Sequence, residues 1–184
     1  SIAGKVTFDG TPPAAKKIRV SGDAICEKAH PGSAMASEEL IVGADKAIQN
    51  VIVWVKLGAD QWEYPVPATP ARLTQKGCQF LPHVLGVMAG QGVELTSEDP
   101  TTHNIHFVGK GNPEFNMTQK QGGKEIKIFK RQEIGRVKCD IHSWMGAYIL
   151  IAYHPFYQVT AKDGRFNLGK LPADRGARIV VYCR

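Results

Sequence analysis

The stretch that most constrains this chain is GRVKCDIHSWMGAYILIAY, residues 135–153. Before its loop, Val137 and Cys139 share one face of a strand, while Arg136 and Lys138 take the other. After it, Met145, Ala147, Ile149, Ile151 and Tyr153 alternate with Gly146, Tyr148, Leu150 and Ala152. Both faces of that second strand are apolar, so it is expected to be covered on both sides. Two strands joined by residues 140–144 aim Cys139, His142 and Met145 at a common point. A thiolate, an imidazole and a thioether are a soft donor set, which favours copper over magnesium, calcium or manganese. A trigonal His2Cys plane with a weak axial Met is the blue-copper arrangement. The loop holds three of those four donors, and a second His must come from elsewhere.

Competing chemistries fit less well. Half a zinc site, Cys-x2-His, needs a second Cys or His pair, and Met is not a usual zinc ligand. Haem attachment needs Cys-x-x-Cys-His. A thiolate-bridged dinuclear copper centre needs a second cysteine in the loop. The plain alternative is a buried structural Cys beside an unrelated His and a core Met.

The missing imidazole is sought in PTTHNIHFVG. His103 and His106 are three apart on a strand, so they face opposite sides, and only one reaches the metal. His103 follows the turn residues Asp99 and Pro100 and sits at the strand end, where a ligand is accessible. His106 is then a partly buried structural histidine. Asn104, beside the ligand, is expected to hydrogen-bond to the Cys139 loop and fix its geometry.

With 184 residues and 43% hydrophobic content, a real core forms in one large or two small domains. No apolar run reaches the roughly 18 residues of a membrane span. The chain starts at Ser1, and is read as a processed form whose export signal is out of view. Of four cysteines, Cys26, Cys78 and Cys183 remain once Cys139 holds metal. Cys26–Cys78 is the preferred disulfide, which suits the periplasm or cell exterior. The formal charge is +6. Lys and Arg crowd residues 110–138, either as a solvated face or as a docking field for an acidic redox partner. No nucleic-acid motif accompanies the charge.

Along the chain, residues 1–20 read as strand, turn and strand, with Asp9-Gly10 at the turn. Residues 21–39 read as a loop-rich connection with a helical turn near residues 23–30 and an exposed His30. IQNVIVWVKL, residues 48–57, is a β-branched strand. Pro65, Pro67 and Pro70 mark a boundary. Residues 71–99 give three short strands, with Val93 and Leu95 on one face and Gly92 and Glu94 on the other. Residues 112–133 are polar and basic, and enter a strand at Lys124 to Lys130 with Ile126 and Ile128 on one face. YQVTAKDGRFNLGKLP reads as a hairpin turning at Asp163-Gly164, and ARIVVY as a last strand.

Two resemblances follow from these motifs. DPTTHNIHF followed by KCDIHSWM resembles the cupredoxins, the small blue-copper proteins related to plastocyanin and amicyanin. The resemblance implies a Greek-key sandwich binding one type 1 copper ion through His103, Cys139, His142 and Met145. It implies electron transfer rather than catalysis, a redox partner protein that is acidic or a cytochrome, and no nucleic acid. Membrane association would come only through a missing anchor or a larger complex. His142, late in the loop, is expected to be partly exposed and to be the exit for the electron. Trp144, beside Met145, departs from the pattern and is read as a shield or an apolar docking face.

The two ends, IAGKVTFDGTPP with NVIVWVK and VTAKDGRFNLGKLP with ARIVVY, are similar to the carboxypeptidase regulatory-like β-sandwich, which is related to transthyretin. After Pro172 that pattern expects Gly and Tyr, whereas ADRGARIVVYCR follows. The expected fold is all-β. Residues 1–65 and 154–184 would form a second small β-sandwich around a cupredoxin domain, residues 66–153. The alternative is a structural or interaction module of an extracellular assembly, its copper vestigial or absent. A copper oxidase or reductase fragment would need a further His cluster, and His30, His83, His106 and His154 are isolated in sequence.

Overall fold

The period-two stretches become strands, and each apolar face finds its own cover. In this computed structural model the described residues are 1–59 and 61–171, with the backbone of 178–182. In chain order they give β1 (Ala3–Lys5), β2 (Lys17–Arg19), α1 (Ala24–Ala29), β3 (Ala34–Ala36), β4 (Ile41–Val42), β5 (Ile48–Gln49) and β6 (Ile52–Leu57). Next come β7 (Ala71–Gln75), β8 (Phe80–Leu81), β9 (Val84–Met88), β10 (Gly92–Ser97), β11 (His103–Val108) and β12 (Phe115–Gln119). The remainder are β13 (Lys124–Ile128), β14 (Glu133–Lys138), β15 (Gly146–Ala152), β16 (Tyr157–Val159), β17 (Arg165–Asn167) and β18 (Arg178–Tyr182). The fold is all-β, as the alternation requires.

Three sheets stack into layers. A four-stranded sheet runs β13-β10-β7-β8, a five-stranded sheet β12-β11-β14-β15-β9, and a three-stranded sheet β16-β6-β18. Between the first two lies the main core, with Leu73, Val93 and Leu95 facing Ile105, Phe107, Val137, Ala147, Ile149 and Ile151. The opposite face of the five-stranded sheet presents Val84, Leu150 and Ala152 to Ile52 and Trp54 of β6. β15 is therefore covered on both faces, as its sequence demanded. β6 behaves the same way. Its alternate residues Val53 and Val55 enter a third cluster with Ile48, Phe156 and Leu168.

The layers also set register for the site. β14 pairs antiparallel with β15, Lys138 opposite Gly146, which leaves residues 139–145 as the connecting loop. β14 pairs antiparallel with β11 on its other side, His106 opposite Lys138. The His103 end of β11 and the Cys139 loop thus meet at one end of the sandwich.

Several local expectations are corrected. Residues 71–99 form four strands, because the Phe80–Leu81 pair adds a short one against β7. β12 lies in a stretch read only as polar and basic, held to β11 over five residue pairs. The turn at Asp163-Gly164 exists, with the Gly164 N–H donating to Ala161 O, but β16 and β17 do not pair as a hairpin. β16 lies on β6 and β17 on β1. The intervening backbone is diverted: Thr160 exchanges bonds with Val51, its hydroxyl donates to Ile48 O, and Gly164 O accepts from the Val6 N–H. ARIVVY supplies the backbone of β18, paired antiparallel with β6, while Cys183 lies outside the described residues.

Candidate metal centre

Three buried donor side chains meet where β11 and the β14–β15 loop converge, and buried Met145 ends that loop. His103 opens β11 and is fully buried, Cys139 follows β14, and His142 and Met145 close the loop, at 3%, 4% and 2% exposure respectively. The loop is a tight backbone knot. The Met145 N–H donates to His142 O at 2.9 Å and the Cys139 N–H to Met145 O at 3.2 Å. His103 Nδ1 and His142 Nδ1 lie 2.9 Å apart, and Cys139 Sγ is 3.9 Å from His142 Nδ1. Donor atoms of His103, Cys139 and His142 all fall within 4.8 Å of one another. Two imidazole nitrogens and a sulfur turned toward one point, screened from water, are a donor set for a soft metal ion. The residues present therefore fit copper.

Asn104 does what its place beside His103 suggested. Its N–H points at Cys139 Sγ at 3.5 Å, and its Oδ1 accepts from the Asp140 N–H at 2.6 Å and the Ile141 N–H at 3.4 Å. The amide sews β11 to the loop. His106, on the opposite face, is a bridge rather than a ligand, 2.7 Å from both Asp140 and Glu114.

What the sequence reading missed is a pair of carboxylates behind the imidazoles. His103 Nε2 is 2.9 Å from Asp99 Oδ2, and His142 Nε2 is 3.3 Å from Asp23 Oδ2. Each carboxylate is itself anchored. Asp99 accepts from the Gly77 and Cys78 N–H groups. Asp23 caps α1 by accepting from the Ile25 and Cys26 N–H groups, and also takes the Thr101 hydroxyl at 2.7 Å. Such carboxylate–imidazole contacts fix the ring orientation and its tautomer. The signal for Asp99 was its place four residues before His103. Nothing local marked Asp23.

The expected exposure of His142 is corrected by the same contacts. The segment read as a loose connection folds over the ring: Asp23 sits on its outer nitrogen, and the Trp144 ring lies 5.0 Å from it. Trp144 is half-buried and donates through Nε1 to Cys78 O at 3.2 Å. Cys26 and Cys78 form the expected disulfide, which ties α1 to the turn before β8. His30 is half-buried rather than exposed, and donates to Gly77 O at 2.8 Å. On the Met145 side, a cavity of about 250 Å³ is lined by Met35, Glu38, His83, Trp144 and Tyr148.

The electrostatics follow from these contacts. Burial works against charge on His103, but Asp99 and the Cys139 sulfur raise its pKa to about 9. Burial and the neighbouring His103 charge hold His142 below the ordinary imidazole value, against the pull of Asp23. Burial alone would raise Cys139, yet His103 and the N–H groups of Asn104, His142 and Ile141 bring it below the usual thiol value. The sulfur is thus biased toward the thiolate, the form that binds metal.

No protein-family model matches the chain, and no curated protein matches it. Solved structures do. A copper-containing nitrite reductase from Thermus scotoductus aligns at 23% identity and TM-score 0.44, over 55% of this chain and 28% of the reductase. A purple cupredoxin from Nitrosopumilus maritimus aligns at 18% identity and TM-score 0.40, over 45% of this chain and 99% of its own. Amicyanin from Paracoccus versutus aligns at 17% identity and TM-score 0.41, over 54% and 96%. The structural neighbours are cupredoxins. This chain spans little more than a quarter of the reductase it matches.

Proposed function

We propose that this chain is a one-electron carrier whose metal is a single type 1 copper ion held by His103, Cys139, His142 and Met145. The observation that carries this reading is the buried convergence of the two Nδ1 atoms, 2.9 Å apart, with Cys139 Sγ beside them. Copper bound there would supply reversible exchange of one electron between the cupric and cuprous states.

The protein's part is to hold the donors still. Asp99 and Asp23 fix the two imidazoles from behind, and Asn104 fixes the loop that carries Cys139. Because these donors sit on paired strands and a knotted loop, little motion accompanies a change of charge. Burial keeps water from the sulfur. Trp144, its ring tilted against His142 and lining the cavity, is an apolar side chain beside that imidazole.

Around this centre, residues 66–153 are proposed as the copper domain, with residues 1–65 and 154–184 as the second sandwich of the regulatory-like kind. A periplasmic or extracellular setting accords with the Cys26–Cys78 disulfide. Among the described residues no helix is long and apolar enough to cross a membrane. The partner is proposed as a redox protein with an acidic docking face, approached by the basic side chains of residues 110–138.

Copper analysis and voltammetry of the purified chain test the reading. One copper per chain is expected, retained in Met145→Leu with a shifted potential, because the Met145 thioether would be the weak ligand that tunes potential. Copper absent from the native chain, or a potential that ignores Met145→Leu, would overturn the assignment.

A further inference from the structure

Among the described residues, His106 alone has a carboxylate on each ring nitrogen. Its Nδ1 lies 2.7 Å from Asp140 Oδ2 and its Nε2 2.7 Å from Glu114 Oε1. The ring is on the opposite face of β11 from His103 and bonds to none of the proposed ligands. Yet Asp140 directly follows Cys139, so the bridge ends on the metal loop.

The two carboxylates are held differently. Asp140 is fixed: its Oδ2 also accepts from the Asn116 amide at 2.7 Å and the Asn104 amide at 3.2 Å, and its Oδ1 pairs with Lys138 Nζ at 2.8 Å. Glu114 is loose. Its side chain is 59% exposed, and His106 is its one side-chain partner among the described residues. A ring that donates to both carboxylates is an imidazolium, because the neutral ring has a single N–H. When the proton leaves, Nδ1–H stays on the fixed Asp140, and Nε2 turns a lone pair toward Glu114, which swings into water. The loop is not released, but one positive charge beside it is lost.

We infer that His106 sets the potential of the proposed centre: its imidazolium, joined to the Cys139 loop through Asp140, favours the cuprous state, and loss of that proton lowers the potential without moving the ligands. The inference rests on the proposed copper reading. Oxidation adds one positive charge at the metal, which a nearby imidazolium opposes. In the coupled step the centre gains one electron from its redox partner, and His106 gains one proton from solvent. By linkage, reduction raises the proton affinity of His106 by the factor that protonation raises the electron affinity.

The charges facing the ring are few. Lys138 lies opposite it on β14, Arg136 shares that face one pleat along, and the neutral Asn116 lies opposite on β12. Glu114 first, and then Asp140, raise the ring's pKa above its ordinary 6.5, against burial and the Lys138 charge. The double bridge is therefore fully present below that ordinary value and is lost as pH rises through the raised one.

The test is voltammetry of the copper-loaded full chain across pH at fixed ionic strength, paired with proton NMR of the His106 ring in the cuprous and copper-free chain. The native potential is expected to fall as pH rises through the His106 titration. The fall should reflect at least a twofold difference in proton affinity, or about 18 mV at about 59 mV per tenfold. The thiolate-to-copper absorption should stay constant over the same range. His106→Gln should remove the step, while Glu114→Gln, at an exposed site, should keep it and move its midpoint to lower pH. A step that persists in His106→Gln, or a midpoint that ignores Glu114→Gln, would overturn the inference. A flat potential over a range where NMR shows the ring titrating would overturn it too, and would leave the copper reading standing. No copper wave in a chain whose NMR midpoint still responds to Glu114→Gln would instead overturn the copper reading, and the inference with it.

Discussion

At the scale of single residues, two side chains hold backbone that no sheet holds. Asn104 binds the Cys139 loop through its amide, and its backbone N–H points at Cys139 Sγ, so it shapes the site without itself being a proposed ligand. Glu133 does the same for residues 110–112, accepting from the backbone N–H groups of Lys110, Gly111 and Asn112 and from the Asn112 amide. Burial pushes the Glu133 carboxyl up, but the Asn112 amide and the three backbone donors bring it below its ordinary value of 4.5. The folded-state pKa is depressed, so its contribution is present above the unfolded value and is lost as pH falls through the folded one. Glu133→Gln is expected to cost about 1–3 kcal/mol at neutral pH, the range for a hydrogen-bonded charged acceptor. The gap to wild type should narrow below about pH 4, read by urea unfolding across pH. A gap that widened in acid would contradict this role.

At the scale of elements, β14 shows how close packing constrains sequence. A Cβ on Gly135 would lie 2.1 Å from Phe107 Cε2, so the Phe107 ring occupies the space a side chain would need. That ring also stacks on Phe115 and lies tilted against Phe129, with centroids 5.6 and 4.6 Å away. Gly135→Ala is expected to destabilise the fold by about 1–3 kcal/mol through overpacking. Thermal unfolding measures this, and an unchanged midpoint would show that the ring moves freely. The elements also mark what was legible in the sequence. Cys139, His142 and Met145 lie within seven residues, so local spacing alone displayed them. Strand alternation set His103 and His106 on opposite faces, and the turn residues Asp99 and Pro100 before His103 singled it out. Asp23 was not, because its tie to His142 spans more than a hundred residues and is made by a side chain at a helix cap. The supposed hairpin of β16 and β17 failed for a related reason. A good turn signal specifies a bend, while β6 and β1 offered each strand a better neighbour. β12 was overlooked although Phe115 and Met117 alternate, because the polar and basic run around them, with Asn112-Pro113 and Gly122-Gly123, masked so short a signal. Ile126 and Ile128 do share a face of β13, but on an edge strand that face is open, and they are 49% and 59% exposed.

Across the whole molecule, β15 joins the metal loop to two cores at once. Ile149 and Ile151 face the main core, while Leu150 faces β6 and carries the contact with the third sheet. Leu150→Ala leaves a cavity between layers and is expected to cost about 2–5 kcal/mol. Calorimetry should show one lowered transition, because the shared strand couples the layers. Separation into two transitions would mean that the outer sheet folds on its own. The coupling also explains how a site assembled from residues 23, 99, 103, 139 and 142 keeps its geometry, since each lies on or beside an element pinned by another layer. In the proposed centre the Cys139 thiolate and the two imidazoles close on a single copper ion. The visible absorption spectrum of the oxidised, copper-loaded chain tests it most directly. An intense thiolate-to-copper band that vanishes in Cys139→Ser is the predicted result, and a copper-loaded native chain without that band, or a Cys139→Ser chain that keeps it, would contradict the claim.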